Sequence, residues 1–482
     1  MTTPAPAPQA QPDDLAGLAA EAFIYGFPLV FDLQEVERFM RVGMGALAPA
    51  PLNVFSHATT LAGPKDTFVS INNDTLYSIA HVDVSGGPVR LDVPDADGRY
   101  YVLQFVDAWT NNFAYIGRRA TGTAAGSFLL VGPDWDGAGP ADATVIRFPT
   151  TVASIVGRWA VAGEDDLPAV RALQQGLTLT AGGQARGLPE PHPDVPEDLA
   201  FFERLRVWLQ AFPPAPRDLD YQRRFEPLGV FAPHSPYADA SPELGAVLRA
   251  GLAAGRQQME QALTDGAGPR QNGWSLTYHI FDYNLDFFEV GALDEDQWKL
   301  PDDESRYLIR ALSARGGLWG NHGYEAAYAM VYDDGDGQPL DGAHAYELRF
   351  ATTPPVGAFW SVTMYDTPDF YLVDNPIDRY SIGDRTPGLH YAADGSLTFV
   401  MQRAAPPEPD RAANWLPTPA GAFRPILRMY QPDPAVFDGT FELPPFTRVM
   451  KDRRGRPEAL ERAVDAEEEF PEGLRDGRDA LQ

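Results

Sequence analysis

The chain has 482 residues, 44% of them hydrophobic, which at roughly 100–200 residues per domain leaves room for two or three domains with apolar cores. A formal net charge of −29 repels phosphate backbones and anionic lipids, so neither nucleic acid nor a membrane is an expected partner. The absence of cysteine excludes disulfides, thiolate metal sites and cysteine nucleophiles.

Residues 1–13 read as a flexible Pro/Ala/Gln-rich tail without the basic start and apolar core of a signal peptide. No apolar run approaches the ~18–20 residues of a membrane span, and a cytoplasmic location is the expectation. Residues 14–50 form a helical segment. Leu15, Leu18, Ala22, Phe23, Leu29, Leu33 and Val36 recur at helical spacing behind Asp13 and Asp14, and Gly26 with Pro28 predicts a kink near Tyr25–Pro28.

A first β lobe is predicted over residues 51–160. Val89–Val93, Tyr100–Val106, Ser127–Val131 and Val145–Phe148 are short β-branched or aromatic runs divided by turns such as Asp95-Ala96-Asp97-Gly98. Residues 161–335 read as a linker and helical connector, with helices over Leu199–Phe212, Leu244–Leu263 and Glu304–Ala314. A second β lobe follows over 336–448, with strands at Ala345–Phe350, Phe359–Tyr365, Ser396–Gln402 and Phe423–Tyr430. Residues 449–482 are a charged C-terminal tail. The fold class expected is mainly β with α: two antiparallel β-sandwich or jelly-roll-like lobes joined by a helical segment.

The wording of both lobes carries a resemblance. Tyr25-Gly26-Phe27-Pro28-Leu29, Asn72-Asn73-Asp74-Thr75-Leu76-Tyr77-Ser78, Gly98-Arg99-Tyr100-Tyr101 and Gln104-Phe105-Val106-Asp107 resemble the domain of unknown function 1254. Pro354-Pro355, Phe359-Trp360-Ser361-Val362-Thr363-Met364-Tyr365-Asp366, Arg379-Tyr380-Ser381, Asn414-Trp415-Leu416-Pro417 and Arg428-Met429-Tyr430 resemble the domain of unknown function 1214. The resemblance implies jelly-roll-like domains and an oligomer, and supplies no activity to carry over.

Four constellations could carry chemistry. Asn73, Asp74 and Tyr77 form either a self-bonded turn or a pocket with a carboxylate base and a phenol donor. Gln104, Asp107 and Asn111 end an alternating strand and either face a ligand or close a hydrogen-bonded loop corner. Arg158 either grips a carboxylate or forms a structural ion pair. Trp360, Tyr365, Arg379, Asn414 and Trp415 lie in a second-lobe cluster. There, alternation puts Phe359, Ser361, Thr363 and Tyr365 on one face and Trp360, Val362 and Met364 on the core face. Half hydroxyl and half aromatic, the first of these faces suits a sugar- or polyol-like ligand, although aromatic strands commonly build cores.

No two of the eight histidines stand at ligand spacing; His57, His81 and Asp83 are either a metal site assembled across the fold or merely partly exposed side chains, and no metal and no cofactor are expected. Asp333-Asp334-Gly335-Asp336-Gly337 lacks the later residues of an EF-hand and reads as a turn. No nucleophile elbow, phosphate loop or dinucleotide fingerprint occurs. The expected function is binding, with cofactor-independent hydrolysis or isomerisation, of a small neutral polar molecule in a cleft near the lobe interface. Asp74, Tyr77 and Asp107 would be the catalytic groups, and Asn73, Gln104, Asn111, Arg158, Trp360, Tyr365, Arg379, Asn414 and Trp415 the binding groups. The alternative is a non-catalytic glycan- or polyol-binding or structural protein. Because long aromatic strands need their faces covered, a homo-oligomer is expected.

Overall fold

Punctuated runs of β-branched and aromatic residues become strands throughout. The computed structural model describes residues 12–66, 69–265 and 268–449. Helix α1 (Pro12–Val42) leads into β1 (Ser56–His57), β2 (Thr75–Asp83), β3 (Val89–Val93), β4 (Tyr101–Asp107), β5 (Asn112–Gly117), β6 (Gly126–Val131), β7 (Thr144–Arg147) and β8 (Val152–Ala160). Next come α2 (Leu167–Gln175), β9 (Thr178–Ala181), α3 (Ala200–Ala211), α4 (Leu219–Arg223), α5 (Pro242–Asp265), β10 (Arg270–Gln271), β11 (Trp274–Leu276) and α6 (Ser305–Gly317). The second lobe continues through β12 (Ala326–Val331), β13 (Tyr346–Phe350), β14 (Val356–Asp366), β15 (Ser381–Gly383) and β16 (Leu397–Gln402). It ends with α7 (Pro409–Ala413), β17 (Trp415–Pro417), β18 (Phe423–Pro432) and β19 (Phe446–Arg448).

Each lobe is two sheets packed face to face. In the first, the sheet β1-β2-β8-β4-β5 lies on β7-β6-β3-β9. Leu76, Leu103, Phe105, Ile155 and Trp159 from one sheet meet Val89, Leu91, Phe128, Leu130 and Ile146 from the other. In the second, β10-β11-β12-β18-β14-β15 lies on β17-β16-β13-β19, and Trp360, Val362, Met364, Leu427 and Met429 meet Leu348, Phe350, Phe399 and Met401.

The two lobes repeat each other strand for strand. The orders β2-β8-β4-β5 and β7-β6-β3-β9 become β12-β18-β14-β15 and β17-β16-β13-β19 when each label is raised by ten. Even the two parallel pairs, β6 with β7 and β16 with β17, correspond. Register extends the match to single residues: Tyr77–Arg158–Val102 lie side by side in one sheet, and Tyr328–Arg428–Ser361 in the other. Gly117, beside Val102, and Gly383, beside Ser361, also correspond.

The structure differs from the sequence reading at several points. Helix α1 runs unbroken through Gly26 and Pro28 because it is packed by α3, α5 and α6. Gly26 serves close approach rather than a bend, since a Cβ there would lie 2.4 Å from Leu205 Cδ1. The same helix is long and apolar enough to cross a membrane by length and composition, and 56% of that stretch is buried inside the protein. The first lobe extends past 160, because the polar edge strand β9 pairs with β3, and the second begins before 336 at β10–β12. Of the expected tail 1–13, residues 1–11 lie outside the described residues and the rest belongs to α1; the predicted 449–482 tail lies outside them except for its first residue.

Candidate functional site at the seam between the lobes

Period-two geometry gives each long strand a second face, and in the central strands that face meets the other lobe. β14 presents Phe359, Ser361, Thr363 and Tyr365, while β18 presents Arg424, Ile426, Arg428 and Tyr430. Opposite them stand Tyr77 of β2 and Arg158 of β8, with Tyr100 just ahead of β4. Tyr100, Val102, Tyr324, Phe359 and Tyr430 pack together across the seam, with Phe359 stacked on Tyr430 at 4.2 Å between ring centroids.

The polar groups bond reciprocally. Asp74, three residues before Tyr77, accepts the Ser361 hydroxyl at 2.6 Å through Oδ2. Glu325, three residues before Tyr328, accepts the Tyr100 hydroxyl at 2.7 Å. Arg158 donates to Gln104 Oε1 at 2.7 Å and to the Trp319 carbonyl of the other lobe's approach segment at 2.7 Å. Arg428 donates to Thr363 Oγ1 at 3.0 Å and to the Ser70 carbonyl of the first lobe's approach segment at 2.8 Å. Trp319 and Ser70 both hold left-handed backbones, with φ of 62° and 55°. A non-glycine residue in that region costs about 1–2 kcal/mol, and such strain gathers at functional sites. A second pair of arginines repeats the pattern. Arg119 crosses to the Tyr324 carbonyl, while Arg385 crosses to the Asp74 carbonyl at 3.0 Å and covers the Phe359 ring.

Burial sets the charges here. It raises the Glu325 carboxyl to about 7, against the opposing pull of its Tyr100 hydrogen bond and of Arg119 and Arg158. Burial likewise raises the Tyr100 and Tyr430 hydroxyls. It works against the charge on Arg158 and Arg428, yet the surrounding tyrosines, joined at Arg428 by the Asp74 carboxylate, outweigh it, so both guanidinium groups hold their protons above the usual arginine range. Neither guanidinium has a carboxylate within ion-pair distance among the described residues. The expected structural ion pair of Arg158 is therefore replaced by neutral oxygens: Gln104, Trp319 and Asn321, the last at 3.3 Å. Tyr77 and Tyr328 are partly exposed although both strands lie inside their sheets, whereas Arg158, Arg428, Tyr100 and Tyr430 around them are buried. Two surface depressions, about 620 Å³ beside Met40, Pro51 and Gln184 and about 440 Å³ beside His192, Arg206 and His234, lie elsewhere. The arginine of the second is already paired to Glu203 at 2.7 Å.

Of the predicted site residues, Asn73, Asp74, Tyr77, Gln104, Arg158 and Tyr365 come together at the seam. Asn73 bonds the Ala62 carbonyl and Ser381; Tyr365 bonds the Ile71 carbonyl at 2.6 Å. Asp107 and Asn111 do not join them. Asp107 accepts the Trp109 and Asn111 amides and the Asn111 side chain, which makes the loop-corner alternative the observed one. Burial raises the Asp107 carboxyl to about 6, opposed by these hydrogen bonds and by Arg310. Trp360 is also a correction: its alternation places it in the second-lobe core between Phe350 and Phe399. Arg379, Asn414 and Trp415 form a separate structural knot, their polar groups spent on carbonyls and amides of residues 390–415. His57 and His81 bond Ser78 and Ser154, and Asp83 holds the Ser85 and Gly187 amides. The acidic run at 333–337 is a turn closed on Asp334.

Sequence reasoning missed Tyr328, Arg428, Tyr430, Glu325, Asn321 and Arg385. One signal was present. Arg424-Pro425-Ile426-Leu427-Arg428-Met429-Tyr430 alternates, with arginines on the face opposite Leu427 and Met429.

Family comparisons agree with this two-lobed layout. The model described as protein of unknown function (DUF1254) matches residues 52–181, and that described as protein of unknown function (DUF1214) matches 325–434. The crystal structure of the VPA0106 protein from Vibrio parahaemolyticus aligns with a TM-score of 0.66 and 25% identity over 90% of this chain and 100% of that one. An uncharacterized protein from Burkholderia cenocepacia aligns with a TM-score of 0.44 and 14% identity, over 91% of this chain and 95% of that one. No curated protein matches the sequence. The chain thus belongs to the two-domain family in which a domain of unknown function 1254 precedes a domain of unknown function 1214.

Proposed function

We propose that the chain binds a small polar molecule in the seam between its two large sheets, against Tyr77 and Arg158 on one side and Tyr328 and Arg428 on the other. The observation that carries this reading is the partial exposure of Tyr77 and Tyr328 inside an otherwise buried polar cluster. Phenol rings offer C–H stacking faces and hydroxyl donors, which suits a polyol- or sugar-like ligand. Saturation-transfer NMR of the full chain against a sugar and polyol mixture tests it. Binding that weakens in Tyr77→Ala and Tyr328→Ala supports the proposal, and binding indifferent to both, or none, rejects it.

Turnover is a second reading, favoured by Glu325. Its carboxyl titrates at about 7, where a group can both take and give a proton near neutrality. New resonances from the bound compound over hours, absent in Glu325→Gln, would distinguish isomerisation or hydrolysis from binding alone.

A further inference from the structure

The seam contains an excess of positive charge that folding by itself does not explain. Arg158 and Arg428 are 5% and 4% exposed. A buried charge is ordinarily paired, because removing it from water costs several kcal/mol. Here the partners are side-chain amides, a threonine hydroxyl and two main-chain carbonyls. The cluster's two carboxylates stand beyond ion-pair distance: Asp74 accepts Ser361 and acts on Arg428 only through space, and Glu325 accepts Tyr100 and acts on Arg158 only through space. Arg158 also lies within electrostatic reach of both the Tyr77 and Tyr328 hydroxyls, and its guanidinium carbon stands 5.3 Å from the Tyr77 ring centre. The partly exposed Tyr77 and Tyr328 thus set O–H donors beside the N–H donors of Arg158, inside a protein whose formal net charge is −29. The repeated topology puts a tyrosine beside each arginine in backbone register, Tyr77 beside Arg158 and Tyr328 beside Arg428, and the Arg428 guanidinium carbon stands 5.6 Å from the Tyr365 ring centre.

Resting on the reading of the seam as a small-molecule site, we infer that its ligand carries an oxyanion, a carboxylate on a small hydroxylated skeleton. The anion is received between the Tyr77–Arg158 and Tyr328–Arg428 pairs. This departs from the neutral ligand expected from the sequence. Two guanidinium groups with no carboxylate at ion-pair distance among the described residues supply the charge that such a ligand completes, and the phenols supply the remaining donors. The strained Trp319 and Ser70 carbonyls hold each arginine from the opposite lobe, so the receiving groups are fixed before a ligand arrives.

The test uses matched probes at constant ionic strength: gluconate against sorbitol, and acetate against acetamide, titrated into the full chain by calorimetry and saturation-transfer NMR. Each acid is expected to bind about tenfold or more tightly than its neutral counterpart, as a charge-assisted hydrogen-bond pair requires. Arg158→Gln and Arg428→Gln should each remove that preference, and Arg158→Lys should restore part of it. If the arginine variants fail to fold, as judged by circular dichroism, Tyr77→Phe and Tyr328→Phe take their place and should weaken acid binding by removing one donor each. Neutral probes that bind as well as the acids, and are weakened by Tyr77→Phe, would overturn the anion while leaving the seam as the site. Acids that bind with equal affinity in every variant would overturn the inference, and no binding by any probe would overturn both readings.

Discussion

Glu325 stands at the head of β12, 1% exposed, with Tyr100 of the other lobe as its hydrogen-bond donor. Its carboxyl titrates at about 7 in the folded chain and near 4.5 when unfolded, so the folded state binds the extra proton. That stabilises the fold fully below the unfolded value and is lost as pH rises from there through about 7. Glu325→Gln should therefore match the parent in urea midpoint at pH 4.5 and exceed it at pH 8, by on the order of 1–3 kcal/mol. An unchanged difference across that range would show that Glu325 is not buried as a carboxyl. Asp107, raised to about 6, has the same sign, but its three hydrogen-bond donors make Asp107→Asn a poor isostere, so destabilisation at every pH is the expectation there.

Between strands, two glycines do the same work in the two lobes. A Cβ at Gly117 would lie 2.3 Å from the Tyr101 carbonyl oxygen, and one at Gly383 would lie 2.0 Å from that of Trp360. Both clashes are with backbone, which cannot swing away, and Gly117 also has a φ of 142°. Gly117→Ala and Gly383→Ala should each destabilise by about 2–4 kcal/mol in chemical unfolding. Gly17, exposed in α1 with nothing within 4 Å, is the control: Gly17→Ala should be neutral or stabilise by ~0.5–1 kcal/mol. The element scale also shows what was legible. Strand and helix positions follow from alternation and helical spacing, and β3 falls where its Val-x-Leu-x-Val pattern puts it. The edge strands β9 and β10 were not legible, because short edge strands bury too little to need an apolar pattern, and β11, an inner strand of three residues, is too short to show alternation.

At the scale of the molecule, the lobes are joined by more than the chain. Arg158 bonds the second lobe's approach segment, Arg428 the first lobe's, and Arg119 and Arg385 repeat the exchange. Parting the lobes would break these crossing hydrogen bonds and expose the packed Tyr100, Val102, Tyr324, Phe359 and Tyr430 to water. The described residues should unfold as one cooperative unit, with calorimetric and van't Hoff enthalpies agreeing. A fragment spanning residues 52–181, which would expose Tyr100, Val102 and Arg158, should lack a cooperative transition and native-like NMR dispersion. Two separated transitions in the full chain would contradict this coupling.

The amino-acid sequence by itself determined the two β lobes, the helical middle and the two faces of β14, because those are set by periodicities of two and 3.6 that each segment carries alone. It also marked Asp74, Tyr77, Gln104 and Arg158 as chemically eligible. Tertiary structure alone decided which eligible residues meet. Asp107 turned into its own loop and Trp360 into a core, while Tyr328, Arg428 and Glu325, more than 150 residues from Arg158 in the chain, closed on the same seam. Strand order and sheet packing fix such encounters, and no local pattern records them.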